Sequence, residues 1–157
     1  MVLGVASALP WLSKKLYILS LMKTKRILFQ GDSITDVSRD RLNLEPNVPA
    51  ALGSGYANHI ASELLHQYPN KDLEFFNRGI SGNRVVDLYS RWKVDALNLK
   101  PDLVSILIGV NDLWHEFMHQ NGVELDRFET VYKMLLEYTK TSLPDVRLVI
   151  CEPFVLP

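Results

Sequence analysis

The sequence predicts a single three-layer α/β/α domain built on a parallel sheet. Short apolar runs of strand length alternate along the chain with longer segments whose apolar residues recur at helical spacing. Strands that alternate with helices form parallel sheets, because the intervening helix carries the chain back across one face of the sheet. The length of 157 residues is sufficient for one such domain and too short for two of ordinary size.

Four apolar runs are predicted to be the strands of this sheet. The first run ends at Gly31 and therefore leads into a turn. The most strongly apolar run, LVSILI, follows Pro101 and is predicted to be a buried strand. The four predicted strands are Arg26–Gln30, Leu73–Asn77, Leu103–Ile108 and Arg147–Cys151.

Three segments between these strands show helical periodicity. The first is predicted to end at Pro69-Asn70 and the third at Pro144, because proline cannot continue a helix. Between Asp36 and Gly53 the prolines disfavour a helix, so this stretch is predicted to be a loop. The periodic residues are Tyr56, Ile60, Leu64, Leu65 and Tyr68; then Val85, Leu88, Tyr89, Trp92 and Ala96; and finally Phe128, Val131, Tyr132, Leu135, Leu136 and Thr139.

Composition and charge narrow the class of function. The chain has 17 Lys and Arg against 18 Asp and Glu, and this balance disfavours a nucleic-acid-binding surface. Its one cysteine cannot form an internal disulfide, so a cytoplasmic location is expected. The sequence contains no Cys/His cluster, no GxGxxG after a strand and no Walker sequence. We therefore expect neither a metal nor a cofactor.

The first part of the chain differs in character from the rest. All five charged residues that precede Asp32 are basic, whereas the remainder of the chain is net acidic. Residues 1–21 are predicted to be a dispensable or non-native extension, because a second methionine, Met22, stands just before the first strand. The domain is then residues 22–157. The uncharged run Met1–Ser13 is shorter than the ~20 residues that cross a bilayer, so no membrane span is expected; a weak amphipathic anchor is the alternative.

Each of the first three predicted strands ends in a compact polar group that contains glycine. Because the carboxyl ends of parallel strands meet at one edge of the sheet, these groups are predicted to converge. Ser33 would expose its hydroxyl at a strand-to-helix turn, and the amide of Gly79 and the carboxamide of Asn111 would supply hydrogen-bond donors. A hydroxyl among such donors describes a nucleophile with an oxyanion hole. The three groups are Gly31-Asp32-Ser33, Asn77-Arg78-Gly79 and Gly109-Val110-Asn111-Asp112.

Three segments resemble conserved blocks of the SGNH, or GDSL, hydrolase superfamily, most closely its lysophospholipase-like and carbohydrate-esterase-like members. The resemblance implies a flavodoxin-like fold and serine ester hydrolysis. It implies Ser33 as the nucleophile, with its own amide, the Gly79 amide and the Asn111 carboxamide as the oxyanion hole. It also implies that Trp114 and His115 line the substrate, and this segment is predicted to be a loop that borders the pocket. The segments are FQGDSITD (Phe29–Asp36), NRGISGNR (Asn77–Arg84) and IGVNDLWHEF (Ile108–Phe117).

The last block of the superfamily, an Asp-x-x-His near its C-terminus, does not occur beyond the third segment; the one such string, Asp112–His115, lies inside that segment. In that block the histidine is the base and the aspartate orients it, and a serine hydroxyl is a weak nucleophile without such a base. The polypeptide is therefore predicted to be inactive or very weakly active, as the N-terminal portion of a domain whose last strand and helix are missing. His115 is a candidate replacement base, but its closeness to Asn111 in sequence does not place it against Ser33.

Two functions stay open at this point. The first is hydrolysis of a small ester through an acyl-enzyme, with acetylated carbohydrates, lysophospholipids and thioesters as possible substrates. The second is a non-catalytic SGNH-like binding or interaction module, which the absence of the C-terminal Asp-x-x-His block favours. In both cases the fourth strand is predicted to leave an open apolar edge through which the chain self-associates.

Overall fold

The computed structural model describes residues 25–153, and its centre is a four-stranded sheet in the order β2-β1-β3-β4. All neighbouring strands are parallel. Each of the four predicted strands is present, although β2 begins one residue later and β3 ends one residue earlier than predicted. The strands are β1 (Arg26–Gly31), β2 (Glu74–Asn77), β3 (Leu103–Leu107) and β4 (Arg147–Cys151).

Within residues 25–153, six α-helices connect or flank these strands. The three long predicted helices are confirmed as α3, α4 and α6, whereas α1, α2 and α5 replace segments that were predicted to be turns or loops. The helices α1 and α2 are single turns of four residues, which are too short to show a hydrophobic period. The helices are α1 (Ser33–Asp36), α2 (Pro49–Leu52), α3 (Tyr56–Gln67), α4 (Val85–Asp95), α5 (Val110–His119) and α6 (Leu125–Ser142), with a 3-10 turn at Leu97–Leu99.

Helices cover both faces of the sheet, and this confirms the three-layer α/β/α class. On one face α4 and α6 pack over Leu28, Val104 and Ile106 of the strands. On the other face α3 packs over Ile27 and Phe29. The order β2-β1-β3-β4 is the flavodoxin-like order of a doubly wound sheet. Such sheets bind ligands where the strand order reverses, which here is the crevice between the ends of β1 and β3.

The two outer edges of the sheet differ. Asn47 closes the edge of β2: its backbone N–H donates to the Phe75 carbonyl, its Oδ1 accepts from the Phe75 amide at 2.9 Å, and its Nδ2 donates to the Leu73 carbonyl at 2.7 Å. At the other edge, no strand among residues 25–153 pairs with the outer side of β4. Val149 and Ile150 of β4, on opposite faces, are 43% and 45% exposed. The apolar edge that was predicted for β4 is therefore present in the described part of the chain.

Two sequence-based predictions concern other parts of the molecule. The proposed extension, residues 1–21, lies outside the described residues. Within residues 25–153, no helix combines the length and the apolar character that a membrane-spanning helix needs.

Candidate active site

Ser33 is the first residue of α1 and its side chain is exposed, at the point where β1 ends. Asp32 caps this helix, because its Oδ1 accepts from the Ile34 amide at 3.0 Å and its carbonyl accepts from the Asp36 amide at 2.8 Å. Burial raises the pKa of Asp32, which is 1% exposed. The cap uses the amides that follow Ser33, whereas the Ser33 amide has no hydrogen-bond partner among residues 25–153. The hydroxyl and the amide of Ser33 are thus both available to a ligand.

Gly31 allows this elbow to lie close to the end of β3. A Cβ atom on Gly31 would stand 2.3 Å from the Leu107 carbonyl oxygen and 2.3 Å from Oγ1 of Thr35. Both distances are far below contact, so a side chain at this position would push α1 away from the sheet. The glycine before the serine therefore places Ser33 at the crevice between β1 and β3.

Gly79 does not offer the free amide that was predicted for it. Its N–H donates to Oδ1 of Asn77 at 2.8 Å, and its carbonyl accepts from Nε of Arg39 at 2.8 Å. A Cβ on Gly79 would lie 2.6 Å from the Asp36 amide nitrogen and 2.7 Å from Cβ of Thr35. The structure thus corrects the prediction of Gly79 as an oxyanion donor, because its amide is already used. Gly79 instead lets the loop after β2 pack tightly on α1.

Gly82 has the properties that were expected of Gly79. It lies in a turn closed by the hydrogen bond from the Asn83 amide to the Ile80 carbonyl at 3.1 Å, and its φ of +84° suits the third position of a type II turn. A Cβ placed on Gly82 would meet no atom within 4 Å, so the space beside it is open. Its amide has no hydrogen-bond partner in the described part of the chain. Sequence reasoning missed Gly82, although it is the second glycine of the segment NRGISGNR.

Asn111 reaches this turn from the opposite side. It is the second residue of α5, directly after the end of β3, and its Nδ2 donates to the Asn83 carbonyl at 3.1 Å. A carboxamide NH₂ carries two N–H groups, so one remains for a ligand. On the β1 side, the Ile80 amide donates to the Gly31 carbonyl at 3.1 Å. The turn of residues 80–83 therefore contacts both the strand that leads to Ser33 and the helix that carries Asn111.

Two buried carboxylates hold the three loops together. Asp36, at the end of α1, accepts from the Ser81 amide and from Oγ of Ser81, both at 2.8 Å, and also binds Arg41. Asp112, in α5, accepts from the amide of Val85 at 2.9 and 3.2 Å. Burial raises the pKa of Asp112 to about 6. The contacts of Asp36 link the segment after β1 to the loop after β2. The contacts of Asp112 link the end of the loop after β2 to α5.

Arg91 of α4 binds backbone carbonyls of the same loops. Its Nη1 donates to the carbonyl of Arg78 at 2.8 Å and to Oδ2 of Asp95 at 2.8 Å, and its Nη2 donates to the Gly31 carbonyl at 3.3 Å. Arg78, in turn, donates from Nη2 to the Leu44 carbonyl at 3.0 Å. These arginines join backbone carbonyls of different loops, so they fix loop positions and do not face a ligand.

Trp114 and His115 lie on α5, whereas sequence analysis placed this segment in a loop that borders the pocket. Trp114 is 45% exposed. His115 is half-buried and close to Asp87. Burial alone would raise the pKa of Asp87, but hydrogen bonds from Arg84 outweigh this effect and the nearby His115 lowers the pKa further. Among residues 25–153, no hydrogen bond joins His115 to Ser33.

The fold and this site define a class of α/β domain, in which an exposed serine follows the first strand and amide donors follow the second and third. The chain belongs to the GDSL-like lipase/acylhydrolase family, whose family model matches residues 29–157. The match extends over most of the chain and includes all three segments on which the resemblance rests. The predicted superfamily is therefore confirmed.

Individual proteins show the same relationship. An acetylxylan esterase from Geobacillus stearothermophilus is 39% identical over 136 residues, which are 84% of this chain and 61% of that protein. A crystal structure of a protein described as a GDSL-like lipase from Parabacteroides merdae aligns with a TM-score of 0.82 at 46% identity and covers 85% of this chain and 62% of the other. A crystal structure of the Geobacillus acetylxylan esterase aligns with a TM-score of 0.72 at 40% identity and covers 80% of this chain and 58% of the other. The chain thus spans about three-fifths of the length of these relatives.

Proposed function

We propose that this polypeptide carries the nucleophile and the oxyanion hole of a carboxylic ester hydrolase, with Ser33 as the nucleophile. The observation that carries the proposal is the exposed hydroxyl of Ser33 at a capped strand-to-helix elbow, at the point where the strand order of the sheet reverses. Membership of the GDSL-like lipase/acylhydrolase family supports ester hydrolysis as the reaction class.

The proposed reaction begins with attack of Ser33 Oγ on the ester carbonyl. The carbonyl oxygen becomes negatively charged and accepts hydrogen bonds from the amides of Ser33 and Gly82 and from Nδ2 of Asn111. The carbon–oxygen bond to the alcohol then breaks, the alcohol leaves with a proton, and an acyl-serine ester remains. Water hydrolyses this ester, releases the acid and restores Ser33.

Gly82 replaces Gly79 in this scheme for a physical reason. A donor contributes to an oxyanion hole only if its N–H is free before the charge develops. The amide of Gly79 is bound to Asn77, whereas the amide of Gly82 has no hydrogen-bond partner among residues 25–153 and belongs to the turn that Asn111 contacts. We therefore assign the second donor to Gly82.

The step that lacks an assigned residue is removal of the proton from Ser33. No Asp-x-x-His follows the segment IGVNDLWHEF, and the half-buried His115 lies near Asp87 and has no hydrogen bond to Ser33 among residues 25–153. An oxyanion hole and substrate binding alone give only a residual rate enhancement, well below that of a complete triad. We therefore expect this polypeptide by itself to acylate slowly and to turn over poorly.

For the substrate we propose an ester with a small acyl group, such as an acetylated carbohydrate. The name of the Geobacillus relative, an acetylxylan esterase, supports an acetyl ester, and a lysophospholipid-like ester is the second candidate. We propose that the indole of Trp114, half-exposed one turn after Asn111, lines the alcohol portion of such a substrate together with His115. A flat ring suits a sugar face because it offers a large apolar surface with little conformational freedom.

A binding module without turnover is the alternative function. The absence of the superfamily's C-terminal Asp-x-x-His block favours it, since a pocket can hold an acyl group through amide donors without any base. The two functions differ in one measurable property, which is whether a covalent acyl group is transferred to Ser33.

Intact-mass spectrometry after incubation with p-nitrophenyl acetate tests the proposal. We expect the full chain to gain one acetyl group slowly, Ser33→Ala to gain none, and the matched surface variant Ser62→Ala to behave like the unaltered chain. Equal labelling of all three proteins would exclude Ser33 as the nucleophile. Fast turnover that depends on Ser33 would show instead that a base is present, and His115→Ala would then identify or exclude that residue.

We further propose that the open edge of β4 promotes self-association of the chain, in the cytoplasm and without a nucleic-acid partner. The support is the contrast between the two edges of the sheet. Asn47 closes the edge of β2, whereas the exposed Val149 and Ile150 flank unpaired backbone groups on β4.

A further inference from the structure

The helix α5 is oriented with its apolar side toward solvent. Four large apolar side chains on one side of it are exposed, namely Leu113 (50%), Trp114 (45%), Phe117 (73%) and Met118 (68%). We call these four residues the α5 face. At the 100° advance per residue of an α-helix, they fall within one continuous stripe. A surface helix normally turns such a stripe toward the protein core.

Two polar contacts fix the rotation of α5 about its own axis. Asp112 is only 5% exposed and accepts from the Val85 amide, and the half-buried Asn111 donates to the Asn83 carbonyl. Rotation of the helix to bury the α5 face would break both contacts and would leave the amide of Val85 without its acceptor. Among residues 25–153, the polar side of α5 is therefore bound to the body of the protein, and the α5 face is left uncovered.

The charges around the α5 face disfavour a lipid surface as its partner. Helices that lie on membranes carry Lys and Arg beside their apolar stripe, because these residues contact anionic headgroups. No Lys or Arg occurs in Val110–His119, and acidic residues outnumber basic ones from Asp32 onward. Because α5 has no Lys or Arg, it also has no cation that could pair with the carboxylates of an acidic protein partner.

We propose that the α5 face binds the α5 face of a second copy of this chain. An antiparallel pair about a two-fold axis between Trp114 and Phe117 would place Trp114 of each copy against Phe117 of the other. The same axis would place Leu113 of each copy against Met118 of the other. This arrangement sets apolar groups against apolar groups, and Asp112, the buried acid of α5, stays on the opposite side of the helix.

The size of the α5 face predicts a weak dimer. With about 200 Å² for a fully exposed large apolar side chain, the four residues present on the order of 500 Å². Two copies would bury about 1,000 Å², which is the lower limit for a specific interface. The dimer is therefore concentration-dependent. Since α5 begins beside Asn111, its interface adjoins the candidate pocket, although the proposed dimer does not depend on the proposed reaction.

Sedimentation velocity of the full chain over two decades of concentration tests this proposal. We expect the unaltered chain to shift from monomer to dimer, and we expect Phe117→Glu to weaken the dimer at least tenfold. The matched control is Leu42→Glu, which places the same charge on an apolar side chain that is 94% exposed and lies on another loop. That variant should dimerise like the unaltered chain. Near-ultraviolet circular dichroism confirms that each variant is folded.

Other outcomes would overturn the α5 dimer. The first is a chain that stays monomeric at every concentration, and the second is a Phe117→Glu variant that dimerises normally. The third is a dimer that Val149→Glu abolishes and Phe117→Glu leaves intact, because the interface would then be the edge of β4. Binding of the monomer to zwitterionic lipid vesicles, lost in Phe117→Glu, would assign the α5 face to a lipid surface instead.

Discussion

The carboxylate of Asp36 accepts two hydrogen bonds from Ser81, one from its amide and one from its hydroxyl, both at 2.8 Å. Asp36 ends α1, which begins with Ser33, and Ser81 precedes Gly82. Burial alone would raise the pKa of Asp36, but hydrogen bonds from Arg41 and Ser81 outweigh it and hold the pKa below its usual value. An ionised side chain that is almost fully buried therefore positions the turn that carries the proposed oxyanion donor.

Replacement of Asp36 should destabilise the domain. Asp36→Asn keeps the size of the side chain but removes the charge that faces Arg39, whose side chain is only 4% exposed. Because a buried charge without its partner is costly, we expect the free energy of unfolding to fall by about 3 kcal/mol. Urea denaturation measures this change. Asp40→Asn, on the exposed part of the same loop, should stay within about 0.5 kcal/mol, and a similarly small effect of Asp36→Asn would contradict the role given to Asp36.

The two glycines of the loop after β2 should respond differently to alanine. In Gly79→Ala the new Cβ would lie 2.6 Å from the Asp36 amide nitrogen, so we expect a loss of about 3 kcal/mol or more. In Gly82→Ala the Cβ meets no atom within 4 Å, and only the positive φ opposes it, at about 1 kcal/mol. Thermal unfolding of both variants measures whether Gly79→Ala loses more stability than Gly82→Ala. A larger loss for Gly82→Ala would show that the space around the turn is not open.

The raised pKa of Asp112 gives the stability a defined pH dependence. Its pKa is about 6 in the folded chain against 3.8 for the unperturbed group, so the folded state holds the proton more tightly. The stabilisation from this proton is complete below about pH 4, declines as the pH rises between the two values and is lost above about pH 6. Asp112→Asn can still accept from the Val85 amide but does not titrate.

We therefore expect the stability of the unaltered chain to fall relative to Asp112→Asn as the pH rises from 4 to 7, by on the order of 2 kcal/mol. Urea denaturation at a series of pH values measures the difference. Comparison of the two proteins cancels the opposite contributions of Asp36 and Asp87, whose pKa values are lowered. A constant difference across this range would show that Asp112 titrates normally.

A buried hydrogen bond between two helices should also be measurable. Nε1 of Trp92 in α4 donates to Oγ1 of Thr139 in α6 at 2.8 Å, and both residues are fully buried. Thr139→Val keeps the shape of the side chain but leaves the indole N–H without its acceptor, which costs about 1–3 kcal/mol. Chemical denaturation checks this value against Thr141→Val, an exposed position on the same helix that should change little.

Much of the fold follows from local sequence signals. Apolar runs bounded by turn residues located all four strands within one residue, because burial on both faces of the sheet requires uninterrupted apolar side chains. Long periodic stripes located α3, α4 and α6. The parallel arrangement then implied that Ser33 and Asn111, which follow β1 and β3, belong to one edge of the sheet, and these strands are indeed neighbours.

Other features depend on contacts between distant residues. Gly79 and Gly82 stand three positions apart in one segment, and nothing local distinguishes them as amide donors. Only the tertiary structure shows that the amide of Gly79 donates to Asn77 while the amide of Gly82 has no partner among residues 25–153.

The orientation of α5 is decided in the same way. An amphipathic period predicts that a helix has an apolar side and a polar side. It does not predict which of the two sides packs against the rest of the domain. Here the Val85 amide and the Asn83 carbonyl bind the polar side of α5, so Phe117 and its apolar neighbours face solvent. The four strands, the three long helices and the family thus follow from local sequence signals. The tertiary structure decided which amides are free and which surfaces are open, because both depend on hydrogen bonds between residues far apart in the chain.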